Sequence, residues 1–472
     1  MKINSIIILI LIPFFGMSKT WLVGPTKTYT SPSAVSSLVA DGDSILIDAA
    51  EYKKDVCLWK AHNLTFIGVG GFAHLNAEGT AYGGKAIWVI TGNFNRLQNI
   101  EFSNCTVVDR NGAGIRLEGT GLTVSHCYFH NNQDGILAGD NPASDVVIEY
   151  TEFSHNGAGD GYSHNLYINH VRSLTFKFNY VHHAYYGHEL KSRAYQNIIL
   201  YNRITNEDGD ASYEIDLPNG GPALIMGNII QQSRYSDNNT FISYGREGLT
   251  NPGKHALCFL YNTLVNNEDK GIILNVQTGM DTLICANNLI AGKVTLLNGM
   301  PKGFINLNNF IQADLNVFEF RDALNYDYHL SKGSPGKDSA HVFNESFLSY
   351  ELNPTHEYIH PVDSKFRYSD LHPDLGAHEL QQVSLSKEYH KHRMEAFYLS
   401  DSKQLILDSK GTDLTNKPIN CTVYSLDGKL FYPKRQLGVS NTFDLVELIP
   451  GIYAFTLKVN TEQYAGTFVV SR

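Results

Sequence analysis

The sequence predicts an all-β protein: a right-handed parallel β-helix followed by a small antiparallel β-sandwich. Three observations carry this expectation. An asparagine returns at one place in a repeated phrase, in FKFNYV, LYNRI, MGNII, YNTL and ANNLI, as Asn179, Asn202, Asn228, Asn262 and Asn288. The steps are 23, 26, 34 and 26 residues, the interval of stacked supersecondary units rather than of one mixed core. Each asparagine also follows a short alternating strand and precedes a buried-looking Val, Ile or Leu by two residues. Finally, 40 glycines and 27 tyrosines with few amphipathic helical runs suit strands and turns. Asparagines in register can bond to one another and to turn backbone, which satisfies every buried amide.

The first element is MKINSIIILILIPFFGMSKT. One lysine precedes an apolar run from Ile6 to Phe15 that is too short to span a bilayer comfortably. Residues 1–20 are therefore expected to be a secretory signal, and the protein to be secreted or displayed on the cell surface with no transmembrane segment after cleavage. Residues 21–383 are expected to form the β-helix and its irregular C-terminal cap. Between Trp21 and Ala50, SSLVADGDSILIDAAEY supplies an apolar stretch, a Gly-Asp turn and a strand, suited to covering the open end of the stack.

From Leu64 to about Leu297 the coils follow one another, from NLTFIGVGG and RLQNIEFSN to LCFLYNTLVNN and LICANNLIAG. Phe102, Phe129, Phe153, Val181, Ile204, Ile230, Leu264 and Ile290 are expected to form one internal column. The long step between Asn228 and Asn262 implies an extra loop at SRYSDNNTF or GLTNPGKH. Loops that leave one coil of a solenoid often wall a groove. From about Phe318 to Leu380 the repeat fades into Pro- and Gly-punctuated chain. Residues 384–396 read as a polar linker, and 397–472 as alternating strands with LDGK and PG turns, a small sandwich.

A formal net charge of −10 and a pI near 6.0 argue against a nucleic-acid partner, which asks for a basic stripe. The six cysteines match no zinc spacing and read as buried free thiols. Trp59 and Trp88 read as core or rim, and Arg116 with Glu118 as a local pair.

Chemistry concentrates in three consecutive coils, in GDGYSHNLYINH, YYGHELKSRAYQN and SYEIDLPNGG. Aligning Leu166, Leu190 and Ile215 as inward residues points their strand neighbours outward. One expected outward column is Asn165, Glu189 and Glu214; the next is Tyr167, Lys191 and Asp216. His164, His188 and Tyr213 line up behind them. Coils about 4.8 Å apart put these side chains in contact. Two stacked carboxylates need a proton or a cation between them, and hard oxygen ligands suit Ca²⁺. Alternatively Lys191 and Arg193 neutralise them. Arg246 and Glu247, in SYGREGL, are expected on the same face one coil later. Pro218-Asn219-Gly220-Gly221 reads as a turn.

Such a face suits β-elimination on an acidic, uronate-containing polysaccharide. The sugar carboxylate is neutralised, a base takes the α-proton and an acid protonates the leaving 4-oxygen. Lys191 serves as base if a neighbouring cation such as Arg193 lowers its proton affinity, but Asp216 opposes this. Tyr167, His164 and His188 stand as further base or acid candidates. Two other readings stay open: a glycoside hydrolase using Asp216, Glu214 and Glu189, and a non-catalytic glycan-binding or surface protein. Lys191 with Asp216 or Glu214 also reads as an ion-pair ladder that only fixes coil register.

From Trp21 to about Glu379 the chain resembles the secreted pectate-lyase-like β-helix proteins. The segment GHELKSRAYQN is similar to the Glu-x-Lys-Ser-x-x-Asn strand of the alginate lyase and chondroitinase B family. That resemblance implies Lys191 as base and Glu189, with Asn165 or Glu214, as calcium ligands. The family's catalytic arginine on the following coil is missing: Asp216-Leu217-Pro218-Asn219 stands there, so either Arg193 or Arg246 would substitute or the mechanism differs. At the other end, Leu426-Asp427-Gly428-Lys429 and Leu448-Ile449-Pro450-Gly451-Ile452-Tyr453, with the final strand, resemble the sorting domain of type IX secretion cargo. This implies the type IX secretion machinery as a partner.

Overall fold

The computed structural model describes residues 18–367 and 372–380, together with seven strands between 395 and 470. The leader up to residue 17, the linker up to residue 394 and the LDGK and LIP turn residues lie outside the described residues. Among the described residues no helix is long and apolar enough to cross a membrane.

Residues 20–312 wind as a parallel β-helix. A representative coil contributes the strands Leu190–Ser192, Gln196–Leu200 and Arg203–Thr205. Each pairs in parallel with its counterpart on the next coil. Stacking builds one 10-stranded parallel sheet from Cys57–Trp59 to Val294–Asn298, and a 21-stranded sheet from the other two strand positions. Parallel pairing buries the inner face of every coil, which is why inward positions are aliphatic or aromatic.

The expected internal column is present in full. Register pairs Phe102, Phe129, Phe153, Val181, Ile204, Ile230, Leu264 and Ile290 in that order. The three phenylalanine rings stack at 4.8 and 5.0 Å. The asparagine ladder is also present. Each side-chain oxygen accepts from the backbone N–H and the amide of the preceding asparagine, from Asn179 through Asn202, Asn228 and Asn262 to Asn288. Each remaining amide hydrogen goes to a strand carbonyl, as from Asn228 to Ile199. The residue before each ladder position has positive φ, as at Phe178, Tyr201, Gly227, Tyr261 and Asn287, and this turns the corner between two strands. Stacking of Tyr150, Phe178 and Tyr201 at 4.9 and 5.5 Å accompanies this left-handed backbone.

Coils continue further than the repeat suggests. Strands Gly303–Leu307 and Phe310–Gln312 add another, with Asn309 closing the ladder below Asn288. The phrase LNNFI carries the same signal as ANNLI, and the end at Leu297 is corrected accordingly. Beyond it, the irregular segment runs back over the outer aromatic row. The Tyr201 hydroxyl accepts from Thr355 N at 3.1 Å, Tyr261 donates to the His341 carbonyl, and Arg367 lies 5.5 Å from the Tyr261 ring. Trp59 and Trp88 are core residues, and Cys57, Cys105, Cys127, Cys258 and Cys285 are buried free thiols. The strands from Glu395 to Val470 make antiparallel sheets of three and four strands.

Candidate active site

The site lies on the outer face of the 10-stranded sheet. Strands Leu166–Ile168, Leu190–Ser192, Ile215–Leu217 and Thr240–Tyr244 stack there in parallel. Register places Tyr167 beside Lys191, Lys191 beside Asp216, and Asp216 beside Ser243, the outward column that alternation requires. Lys191 Nζ sits 3.5 Å from Asp216 Oδ2 and 3.5 Å from Glu247 Oε1. Arg193 donates through Nε to the Tyr167 hydroxyl at 3.0 Å, and through a terminal nitrogen to Asn219 Oδ1 at 2.7 Å. The same terminal nitrogen lies 2.7 Å from Glu247 Oε2. One carboxylate is thus shared by two cations.

Glu247 comes from the loop after Tyr244, the extra loop implied by the long ladder step. Its backbone N–H bonds to the Pro218 carbonyl, which brings the loop back over the preceding coil. Burial works to raise the Glu247 carboxyl, but the hydrogen bond from Arg193 and the charges of Arg193 and Lys191 hold it below the usual range. Asp216 is buried, and desolvation raises its carboxyl despite Lys191.

Beneath this face the imidazoles of His164 and His188 stack at 4.4 Å, lined up as expected. They are only 1% and 7% exposed. Burial, then the charges of His188, Lys191 and Arg193, holds His164 well below its usual range; burial and Lys191 do the same for His188. Both are therefore neutral. His164 Nδ1 accepts from the His188 N–H at 3.0 Å, and His188 Nε2 faces Asp216 Oδ2 at 3.6 Å. These contacts position Asp216. As base or acid on a bound chain the two histidines are out of reach.

The expected outward column of Asn165, Glu189 and Glu214 is corrected: all three side chains are fully buried. They extend a second amide ladder. Asn132 donates to Asn156, Asn156 to Asn165, and Asn165 to Glu189. Glu189 Oε1 also accepts from Ala184 N, and Glu214 Oε2 from Gln232. Calcium needs six to eight free oxygens. Here all but Glu214 Oε1 already accept from N–H donors, so this trio does not fit the ion. Desolvation instead pushes the Glu189 carboxyl up to about 8 and Glu214 well above its usual range, so both are protonated at neutral pH. Arg246 is exposed and reaches Gln277 at 3.4 Å, outside the Lys191 cluster. The sequence placed Glu247 on the right face but not between Lys191 and Arg193, because a loop contact leaves no periodic signal. Asn219, read as a turn residue, is in that turn and also holds Arg193.

An open pocket of about 740 Å³ lies on the corner leading into His188. Tyr185, Tyr186 and Tyr235 line it with His155, His183 and Asp208, and the three tyrosines are exposed.

A family described as a right-handed β-helix region matches residues 54–214. With the strand register, this identifies the fold as a right-handed parallel β-helix. The pectate lyase Pel9A superposes with a TM-score of 0.56 at 14% identity, over 77% of this chain and 96% of that one. An alginate lyase from Paenibacillus sp. str. FPU-7 gives a TM-score of 0.37 at 13% identity, over 61% and 99%. A PL6 family alginate lyase gives 0.33 at 14% identity, over 70% and 60%. No curated protein matches the chain in sequence.

Proposed function

We propose that this protein is a secreted polysaccharide lyase that cleaves a uronate-containing polymer by β-elimination. The observation that carries the reading is the Glu247 carboxylate held between Lys191 and Arg193. A sugar carboxylate would take its place, since the Glu247 side chain is about half exposed on a loop. Displacing Glu247 would let Arg193 and Lys191 neutralise the substrate, which acidifies the proton at C5.

Tyr167 is then the base and Lys191 the acid. The Tyr167 oxygen accepts from Arg193 Nε at 3.0 Å, a bond that negative charge developing on that oxygen would strengthen. Lys191 meets two carboxylates, contacts that complement an ammonium. The phenolate takes the C5 proton, the C5–H electrons form the C4–C5 double bond, the C4–O4 bond breaks, and O4 takes a proton from Lys191 Nζ. Asp216 holds Lys191, and His188 supports Asp216. Elimination is expected to persist in chelator, since two cationic side chains do the neutralising. The exposed tyrosines beside His188 suit sugar stacking along the approach. Export is read from the leader and from the C-terminal strands as a type IX sorting signal. Retention of a chain lacking residues 397–472 inside the producing cell is the expected result, and normal release would refute it.

Ultraviolet absorbance of the unsaturated product over a panel of uronate polymers tests the reaction and names the substrate. New reducing ends without absorbance would favour hydrolysis by Asp216 and Glu247, the carboxylates left on the face. Sugar binding without turnover would favour a glycan-binding role. Roles are separated with Lys191→Ala on a uronate carrying nitrophenolate at position 4, a leaving group that needs no proton. Retained turnover there, with loss on the polymer, makes Lys191 the acid. Loss on both would refute a role confined to the acid and leave Lys191 as base or as partner of the substrate carboxylate.

A further inference from the structure

We propose that His74, Glu101 and His130 form a zinc site on three successive coils, remote in sequence from the Lys191 cluster. Register places His74 beside Glu101 on one outward column, while His130 follows Ser103 on the adjacent column. His130 Nε2 lies 2.9 Å and His74 Nε2 3.4 Å from the same Glu101 oxygen. All three side chains are partly exposed, so an ion can reach them.

The three side chains turn their ligand atoms toward one point. His130 Nδ1 lies 2.7 Å from Asn131 Oδ1, so that side of the ring is taken and Nε2 is the atom turned toward Glu101. A tetrahedral zinc with bonds of about 2.0–2.1 Å sets its ligand atoms about 3.3 Å apart, which matches the 3.4 Å between His74 and Glu101 and asks the 2.9 Å between His130 and Glu101 to widen slightly. Two imidazoles and one carboxylate are a zinc ligand set with a fourth position open to water. Ser103 Oγ, 2.8 Å from His74 Nε2, lies beside the ligands. Asn131 is the positioning residue, since it fixes the orientation of His130.

A second group, His329, Glu357 and His378, does not compete. Its imidazoles stack face to face at 3.7 Å, so no ion can lie in both ring planes. Glu357 there is already engaged by Lys365 and by the Glu379 N–H.

The test is titration of the metal-stripped full chain with Co²⁺, followed by displacement with Zn²⁺. The expected result is one equivalent of Co²⁺ with a tetrahedral visible spectrum, displaced by one equivalent of Zn²⁺. His74→Gln and His130→Gln should abolish it, with circular dichroism unchanged. Asn131→Gly keeps the left-handed backbone at this position (φ 55°) and should weaken uptake about 10-fold or more. His329→Gln should change nothing. Absence of stoichiometric uptake would overturn the proposal and leave a hydrogen bond between His130 and Glu101. Uptake that survives His130→Gln, or disappears with His329→Gln, would overturn it equally.

Discussion

Replacing Asn228 with alanine should destabilise the β-helix by about 2–6 kcal/mol. The side chain is fully buried in the middle of the ladder. Its oxygen accepts from Asn202 N at 2.9 Å and Asn202 Nδ2 at 3.0 Å; its amide donates to Asn262 Oδ1 and to the Ile199 carbonyl, both at 3.0 Å. Alanine leaves the Asn202 N–H without its partner, at roughly 1–3 kcal/mol for a buried donor. The second Asn202 amide hydrogen and the Ile199 carbonyl each lose one bond, at about 0.5–1.5 kcal/mol apiece. Asn262 Oδ1 is spared, because Asn228 N still donates to it. Asn309 offers an internal control. It makes the same bonds upward to Asn288 and Cys285, but it is only partly buried and water can replace them. Asn309→Ala should cost about 1 kcal/mol. Urea unfolding followed by circular dichroism measures both, with hydrogen exchange on strands Gln196–Leu200 and Ala223–Met226 localising the effect. A cost for Asn228→Ala no larger than that for Asn309→Ala would refute the ladder as a source of stability.

Glu189 should make stability pH-dependent: its carboxyl lies near 4.3 unfolded and at about 8 folded. The contribution is full below about pH 4.3 and lost as pH rises through 8, on the order of 5 kcal/mol over that window. Glu189→Gln should flatten the urea midpoint between pH 5 and 8; parallel curves would contradict the assignment. Glu247→Ala should lower KM for the acidic polymer several-fold and keep kcat, because it removes the carboxylate that competes for Lys191 and Arg193. A fall in kcat would instead place Glu247 in the chemistry. Native protein should leave Cys57, Cys105, Cys127, Cys258 and Cys285 unreacted with a thiol reagent until urea is added. Burial both hides these thiols and pushes Cys105, Cys127, Cys258 and Cys285 up to about 12.

What the sequence by itself determined is everything that repeats. Asn179 to Asn288 and Phe102 to Ile290 each recur once per coil, and a parallel stack turns a recurrence into a column with one register. Leu166, Leu190 and Ile215 fixed that register, and with it the outward line of Tyr167, Lys191 and Asp216. Tertiary structure alone decided the direction of the residues just before them. The strands there are only three residues long, beginning at Leu166, Leu190 and Ile215. Asn165, Glu189 and Glu214 therefore belong to corners, where the two-residue alternation of a strand does not apply. The corner turns them inward, where desolvation keeps both carboxyls protonated. Glu247 was likewise invisible as the partner of Lys191 and Arg193. Its place depends on a loop folding back across coils, and that contact joins residues more than fifty positions apart without any period to announce it.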